Sequence, residues 1–365
     1  MGVSLYTSRI VLSTLGVEDY GVYSVVGGVV AIFSSLNSTM AGAVQRFLNF
    51  EMGKNNHARL NKVFNTSIII HVGIAVIIFI LVELIGTWFL NSKMNIPNER
   101  LVAANWVLQF SLLTFIVNII SVPYNAVIIA NEKMKVFAYI SIIDVTLKLI
   151  IVFMLTLFNY DKLIMYSILM FLVSVIIRLI YGIYSKQNFE ECRFKWLWDT
   201  PVFKEMTSFA GWNLIGVTST LARTQGVNIV LNLFYGTVVN AAMGIANQVR
   251  QALELFVNNF TTALKPQITK SYALGDLKYM MDLVFQGTRF AIYLLFLITF
   301  PILLETDYIL NIWLKNVPAH TIIFVQLVTV IVIIETLSKT LIQTMFAYGK
   351  IRNYQIHLRF LTELK

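Results

Sequence analysis

One cysteine, four histidines and six prolines occur among 365 residues, and charged side chains make up only 13%. The lone Cys192 excludes an internal disulfide, and His57, His71, His320 and His357 stand too far apart for a zinc-ligand spacing. No glycine-rich loop able to cradle phosphates, no nucleophile elbow and no soluble segment long enough for a catalytic core is present. The shortage of charge excludes most, because a soluble domain carries about 25% Asp, Glu, Lys and Arg. With half of that against 57% hydrophobic residues and a mean hydropathy of +0.73, the chain cannot coat a water-soluble globule, and an ordinary cytosolic enzyme is ruled out. What is left is a polytopic membrane protein, all-α in class.

Apolar runs near the roughly 20 residues that cross a bilayer recur along the chain. They cover 20–40, 67–90, 105–130, 137–158 and 163–184, then 209–233, 241–264, 283–304 and 322–346, with incomplete spans at 1–15 and from 356 onward. They exceed strand length and lack strict alternation, which fits helices and not a β-barrel. Arg9 interrupts the first run and no small-residue cleavage site follows, so it reads as a span and not as a signal peptide.

The net charge of +9 raises the question of nucleic acid, but the cations collect in alternate loops. Arg46, Lys54, Arg59 and Lys62 form one group. Lys133 with Lys135, then Lys186, Arg193, Lys195 and Lys204, then Lys265, Lys270 and Lys278, then Lys350 and Arg352 form the others. The positive-inside rule places these loops in the cytoplasm, so topology accounts for the charge and no nucleic-acid partner is needed. Cys192 is then expected to be reachable from the cytoplasm.

The chain repeats itself. Leu15-Gly16 through Gln45-Arg46 to Gly53-Lys54, an apolar span and Trp88-Phe89-Leu90 returns as Tyr235-Gly236 through Lys265-Pro266 to Gly275-Asp276, an apolar span and Ile312-Trp313-Leu314. Glu132-Lys133-Met134-Lys135 returns as Gly349-Lys350-Ile351-Arg352. An offset of roughly 220 residues with about six spans per half predicts two parallel-related six-helix lobes about an axis along the membrane normal. The expected boundaries are 1–184 for the N-terminal lobe, 185–205 for a cytoplasmic connection and 206–365 for the C-terminal lobe, with the chain appearing truncated at both ends.

Polar side chains inside the spans carry the functional expectation. Asn247, Arg250, Gln251, Glu254, Asn258 and Thr261 recur at three- and four-residue intervals on one face, as do Thr220, Thr224, Asn228 and Asn232 beside Arg223. Asn37 lies in the repeat equivalent, and Arg9 with Tyr6 and Ser13 in the opening helix. Exposing these groups to lipid is costly, so the faces are expected to meet one another or line a water-filled cavity. Arg9, Arg223 and Arg250 would make it cationic, matching phosphate or carboxylate oxygens, with Asn37, Asn228, Asn247, Gln251 and Asn258 as polar lining. Acid-base pairs four residues apart, Asp144 with Lys148, Arg250 with Glu254 and Glu335 with Lys339, read first as self-neutralising pairs. The carboxylates of Glu254, Asp144 and Glu335 are the candidates for a coupling proton or sodium ion. Arg46 stands as a cytoplasmic gate candidate, and Pro123 as a kink whose freed backbone groups Asn118 and Asn125 could satisfy.

Ser8-Arg9, Leu15-Gly16-Val17-Glu18-Asp19-Tyr20-Gly21, Gln45-Arg46-Phe47-Leu48-Asn49-Phe50-Glu51-Met52-Gly53-Lys54, Val122-Pro123-Tyr124-Asn125-Ala126, Phe209-Ala210-Gly211-Trp212-Asn213 and Asn240-Ala241-Ala242 together resemble the polysaccharide-transporter branch of the multidrug/oligosaccharidyl-lipid/polysaccharide flippase superfamily. The resemblance covers essentially the whole chain, and the motifs look like those of the O-antigen or capsular repeat-unit flippases. It implies a multi-pass protein of the bacterial inner membrane, a V-shaped pair of lobes working by alternating access. Its cargo would be an undecaprenyl-pyrophosphate-linked oligosaccharide for lipopolysaccharide or capsule synthesis, with membrane lipid as neighbour, no cofactor and no enzyme activity. The family's cationic cavity maps onto Arg9, Arg223 and Arg250. The rival in the same superfamily is a multidrug or metabolite antiporter, whose cargo is commonly cationic and would need more acid than this cavity has. A membrane polymerase or ligase acting on lipid-linked sugars would need large outward loops, and 91–100 and 305–320 are short.

Overall fold

Three aspartates fix where helices begin. In the computed structural model, Asp161 accepts hydrogen bonds from the amides of Leu163 (3.0 Å) and Ile164 (3.2 Å), Asp199 from Val202 (3.0 Å) and Asp276 from Tyr279 (3.0 Å). Each satisfies amides that the first helical turn leaves open. The structure describes residues 10–11, 14–16, 19–23, 26, 33–94, 96–157, 161–193, 198–314 and 317–356, with the backbone alone at 34–36, 38, 156–157, 221–225, 228–233, 235–238 and 240–241.

Among the described residues there is no strand, as the composition requires. The helices are α1 (Ser34–Gly53), α2 (His57–Leu81), α3 (Thr87–Ser92), α4 (Leu101–Ala130), α5 (Met134–Leu157), α6 (Lys162–Asn188), α7 (Thr200–Leu274), α8 (Leu277–Leu304), α9 (Thr306–Leu314) and α10 (Thr321–Tyr348). A π-helical turn at Val82–Gly86 joins α2 to α3. Among the described residues six stretches are long and apolar enough to cross a membrane: His57–Ser92, Asn98–Ala130, Met134–Leu155, Lys162–Asn188, Leu277–Leu304 and Thr321–Tyr348. The expected spans at 1–15 and from 356 onward, and most of 20–40, lie outside the described residues.

Two expected spans fall within α7, whose helical hydrogen bonding continues through the break anticipated at Gly236. Yet Phe209 packs against Phe346 with ring centroids 5.9 Å apart, and Tyr272 against Tyr348 at 6.2 Å. A straight helix would separate Phe209 from Tyr272 by about 95 Å. Both ends of α7 instead meet the same end of α10, so the chain reverses direction inside α7 and the two spans run antiparallel.

The chain divides into two compact units, Met1–Leu48 with His57–Thr207, and Asn49–Asn56 with Ser208–Lys365. In the first, Val107, Leu108, Leu112 and Ile119 of α4 pack with Ala75 and Ile78 of α2. Leu155 of α5 joins Tyr166 and Val173 of α6 in a second cluster. Buried Ala103, Ala104, Ala126 and Ala130 keep the surface of α4 shallow, which is how helices approach when lipid offers no hydrophobic drive between them. In the second unit Leu253 and Val257 of α7 meet Leu295 of α8 and Val332 of α10. The outward sides stay greasy: Phe285, Tyr293, Leu297 and Ile334 are all exposed, a surface suited to lipid and not to water.

One backbone turn recurs at matching points of the sequence repeat. Asn55 has φ 53°, with its amide on Met52 O (3.0 Å) and that of Asn56 on Glu51 O (3.1 Å). Gly275 has φ 80°, with its amide on Tyr272 O and that of Asp276 on Ser271 O, both 3.0 Å. Glu132 (φ 59°) and Gly349 (φ 85°) form the next such pair.

At one end of the first unit, the Arg100 guanidinium donates from Nε to Asp19 Oδ1 (2.6 Å) and from Nη1 to Asp161 Oδ2 (2.7 Å). The clasp joins the segment before α1, the start of α4 and the cap of α6. Arg100→Ala is expected to cost about 1–2 kcal/mol, since it strands two carboxylates that are only partly exposed. Thermal unfolding in detergent checks this, and an unchanged midpoint would contradict it.

At the opposite end, the segment expected to connect the two lobes is docked onto α2. Lys62 Nζ lies 3.0 Å from Asp199 Oδ2, Arg59 Nη2 lies 2.8 Å from Glu205 Oε2, and Asn61 donates to the carbonyls of Glu191 (3.0 Å) and Arg193 (3.3 Å). The Val202 amide, then Lys62, hold the Asp199 carboxyl below the usual range. Docking overturns one expectation: Cys192 is only 3% exposed, and burial, then Glu191, pushes its thiol well above its usual range. A buried neutral thiol is a poor nucleophile. Maleimide labelling of Cys192 at neutral pH is therefore expected to be slow in the folded protein and fast after denaturation, and rapid labelling of the native protein would contradict the docked segment.

Candidate functional site

In the second unit the polar face of α7 meets α10 through a charge cluster. Arg250 Nε donates to Glu254 Oε1 (2.8 Å), and Arg250 Nη2 reaches Glu335 Oε1 and Oε2, each at 2.8 Å. Lys339 Nζ donates to Asn258 Oδ1 (3.3 Å). Spacing within α10 pairs Glu335 with Lys339, but the structure gives Glu335 to Arg250 across the helix interface. A guanidinium presents a planar fork that a carboxylate on a neighbouring helix can meet with two oxygens, and this outcompetes a flexible ammonium on the same helix. Arg250, Glu254 and Glu335 are 26%, 30% and 35% exposed, so the cluster borders open space. Arg250 is thereby compensated by two carboxylates. Asn247 and Gln251 lie on the same stretch of α7, half-buried and exposed respectively.

The first unit holds a cavity of 380 Å³ between α1, α4 and α6, lined by Asn37, Gln45, Asn118, Ser121, Asn125 and Tyr181 among others. None of its described lining residues is charged. Asn125 Nδ2 donates to Tyr181 Oη (3.2 Å), so this amide binds across helices and does not serve the backbone freed by Pro123. Asn37 Oδ1 and Gln45 Nε2 are buried without a hydrogen-bond partner among the described residues. An open acceptor and an open donor face one uncharged space, and each unsatisfied group costs free energy that a hydroxylated ligand or water would recover.

Of the remaining expected site residues, Asp144 Oδ2 pairs with Lys148 Nζ at 2.7 Å in the first unit, as the spacing requires. Arg46 sits near the end of α1 with its guanidinium 4.6 Å from the Phe47 ring centroid. Arg9 lies outside the described residues, and Arg223 and Asn228 are placed on α7 by backbone only. The sequence reading missed Arg178. Its guanidinium lies 3.8 Å from the Tyr124 ring centroid, in the middle of an apolar helix. A single Arg in such a span was itself the signal, passed over because no polar stripe surrounds it.

The family described as polysaccharide biosynthesis protein matches residues 1–272. The chain belongs to that family. Among curated proteins no sequence matches it. The fold of this polysaccharide biosynthesis family member is that of the MATE transporters. A MATE protein in a bent conformation matches with a TM-score of 0.83 over 98% of this chain and 80% of its own, at 13% identity. An outward-facing multidrug-resistance MATE transporter of the MOP superfamily matches at 0.78 over 99% and 80%, again at 13% identity. A MOP superfamily transporter from Pyrococcus furiosus, for which reverse polarity of the binding pocket is described, matches at 0.80 over 99% and 81%, at 14% identity. The family member is thus a multi-pass membrane protein with a transporter fold, and no group of three potential metal ligands occurs among its described residues.

Proposed function

We propose that this member of the polysaccharide biosynthesis family is a flippase that carries undecaprenyl-pyrophosphate-linked oligosaccharides across the bacterial inner membrane by alternating access. Segments 1–184 and 206–365 would act as its lobes, and the product would feed lipopolysaccharide, O-antigen or capsule assembly. The observation that carries the reading is the charge cluster between α7 and α10, within a family of polysaccharide biosynthesis proteins. Arg9, Arg223 and Arg250 are assigned to the pyrophosphate, and Asn37, Asn228, Asn247, Gln251 and Asn258 to sugar hydroxyls.

The pairing of Arg250 supplies a coupling scheme. While Glu254 and Glu335 are both ionised, the guanidinium is occupied on two sides. Protonation of one carboxylate, or a sodium ion bound between the two, releases a fork that pyrophosphate oxygens can take. Anion and coupling ion then act through one group. Asp144, held by Lys148, would be a further coupling carboxylate in the first unit, and Arg46 would act at the cytoplasmic opening.

Complementation tests the reading. Expression in a bacterium that lacks its own repeat-unit flippase is expected to restore surface polysaccharide. Correct insertion without any surface polymer, together with extrusion of cationic drugs, would favour the antiporter instead.

A further inference from the structure

We infer that the cavity of the first unit is a subsite for one uncharged sugar ring, and that it discriminates against rings bearing an acid or an amine. The inference rests on the lipid-linked-sugar reading and names the sugar class that this unit recognises.

The polar lining comes from single faces of three helices. Asn118, Ser121 and Asn125 stand at i, i+3 and i+7 of α4, Asn37 and Gln45 lie about two turns apart on α1, and Tyr181 is on α6. Asn118 decides most. It is exposed, although it lies inside the apolar stretch Asn98–Ala130, and its side-chain amide has no hydrogen-bond partner among the described residues. Lipid supplies no hydrogen bond, so an amide placed there is met by water or by a ligand in the cavity.

The hydrogen bonds already made leave a balanced set of free groups. Ser121 Oγ spends its proton on Val117 O (2.7 Å) and keeps its lone pairs as acceptors. Asn125 Nδ2 donates to Tyr181 Oη (3.2 Å), which leaves Asn125 Oδ1 as an acceptor and the Tyr181 hydroxyl proton as a donor. Asn118 offers both kinds. Gln45 Nε2 and Asn37 Oδ1 add a donor and an acceptor that no described residue meets. A sugar hydroxyl donates and accepts at once, so a ring of hydroxyls can answer every one of these groups. A carboxylate or phosphate accepts only and an ammonium donates only, and either would leave half of the set unmet.

Charge points the same way. None of the described lining residues is charged, and the Arg178 guanidinium rests on the Tyr124 ring, neither of which lines the cavity. An ion brought into this space would lose its hydration without gaining a counter-charge, a loss that neutral hydroxyls do not suffer. Val122, Ile129 and Ile177 supply an apolar wall for the C–H face of a pyranose. The volume of 380 Å³ falls near the lower end of pockets that hold small ligands, as one ring requires.

The test uses the whole chain in lipid nanodiscs and ligand-observed NMR at neutral pH. Glucose, galactose, mannose and N-acetylglucosamine are the neutral probes. Glucuronate and 6-amino-6-deoxyglucose carry opposite charges at one ring position. At least one neutral sugar is expected to bind at least tenfold more tightly than both charged ones. Asn118→Leu is expected to weaken that sugar at least tenfold, and Ser121→Ala, which removes one acceptor, about threefold. Asn118→Asp keeps the shape and adds a negative charge, so it is expected to reverse the order in favour of 6-amino-6-deoxyglucose. A purely structural role for Asn118 would not produce that reversal. No binding of any neutral sugar at about 10 mM would leave water as the occupant and overturn the subsite. So would glucuronate bound as tightly as the best neutral sugar, or an order unchanged in Asn118→Asp. The two readings fail separately. Surface polymer restored by a chain whose sugar binding ignores Asn118 removes the subsite and leaves the flippase, whereas Asn118-dependent binding without any flipping does the reverse.

Discussion

Arg250→Gln is expected to destabilise the second unit by about 2–3 kcal/mol and to abolish transport. The substitution removes the guanidinium that bonds both Glu254 and Glu335, and leaves two carboxylates across the α7 and α10 interface with Lys339 still nearby. Removing one partner of a buried pair costs about 3–5 kcal/mol, and the partial exposure of this group lowers the figure. The sign of the rescue separates electrostatics from packing. In Arg250→Gln combined with Glu254→Gln and Glu335→Gln, the uncompensated charge is gone, so most of the stability is expected to return. Transport is not expected to return, because the anion-binding fork is still missing. Denaturant unfolding in detergent and a polysaccharide assay report the two quantities. A single variant as stable and as active as the parent would remove the cluster from the account.

Phe64→Ala is expected to cost about 2–3 kcal/mol, while Phe79→Ala on the same helix is expected to cost less than about 0.5 kcal/mol. Phe64 is fully buried and supports Tyr124 edge-to-face, whereas Phe79 is 41% exposed. Loss of a buried phenyl in a soluble protein costs about 3–5 kcal/mol. In a membrane part of that disappears, because the separated helix would also sit in an apolar medium, and the lost packing remains. Phe64→Ala also loosens the platform beneath Arg178. Equal effects at the two positions would mean that α2 does not present these faces to protein and lipid as described.

Much of this fold could be read from hydropathy, because membrane spans are set by a single length and a single polarity rule. The caps at Asp161 and Asp276 and the left-handed Gly275 and Gly349 lie where the breaks between apolar runs place them. The reversal inside α7 was legible as a loop near Gly236, although helical bonding continues across it. Local pairs were legible only when their partner was local. Asp144 met Lys148 and Arg250 met Glu254, but Glu335 left Lys339 for a guanidinium 85 residues away along the chain. Nothing in sequence spacing ranks a partner on another helix above one on the same helix. The cavity of the first unit was visible only through Asn37, because Gln45, Asn118, Ser121 and Tyr181 come from three helices and share no period. Arg178 was visible as a single charge in an apolar span, but the Tyr124 ring it meets belongs to a different helix.

The central claim is that the chain moves a lipid-linked sugar by means of embedded cations that carboxylates hold in reserve. The most direct test is a proteoliposome assay in which a fluorescent undecaprenyl-pyrophosphate-linked sugar is scored for exposure to an external, membrane-impermeant glycosidase. The account predicts protein-dependent movement that is lost in Arg250→Gln and responds to an imposed proton or sodium gradient. Movement equally fast in Arg250→Gln, or none with the parent chain while a cationic drug crosses readily, would contradict it.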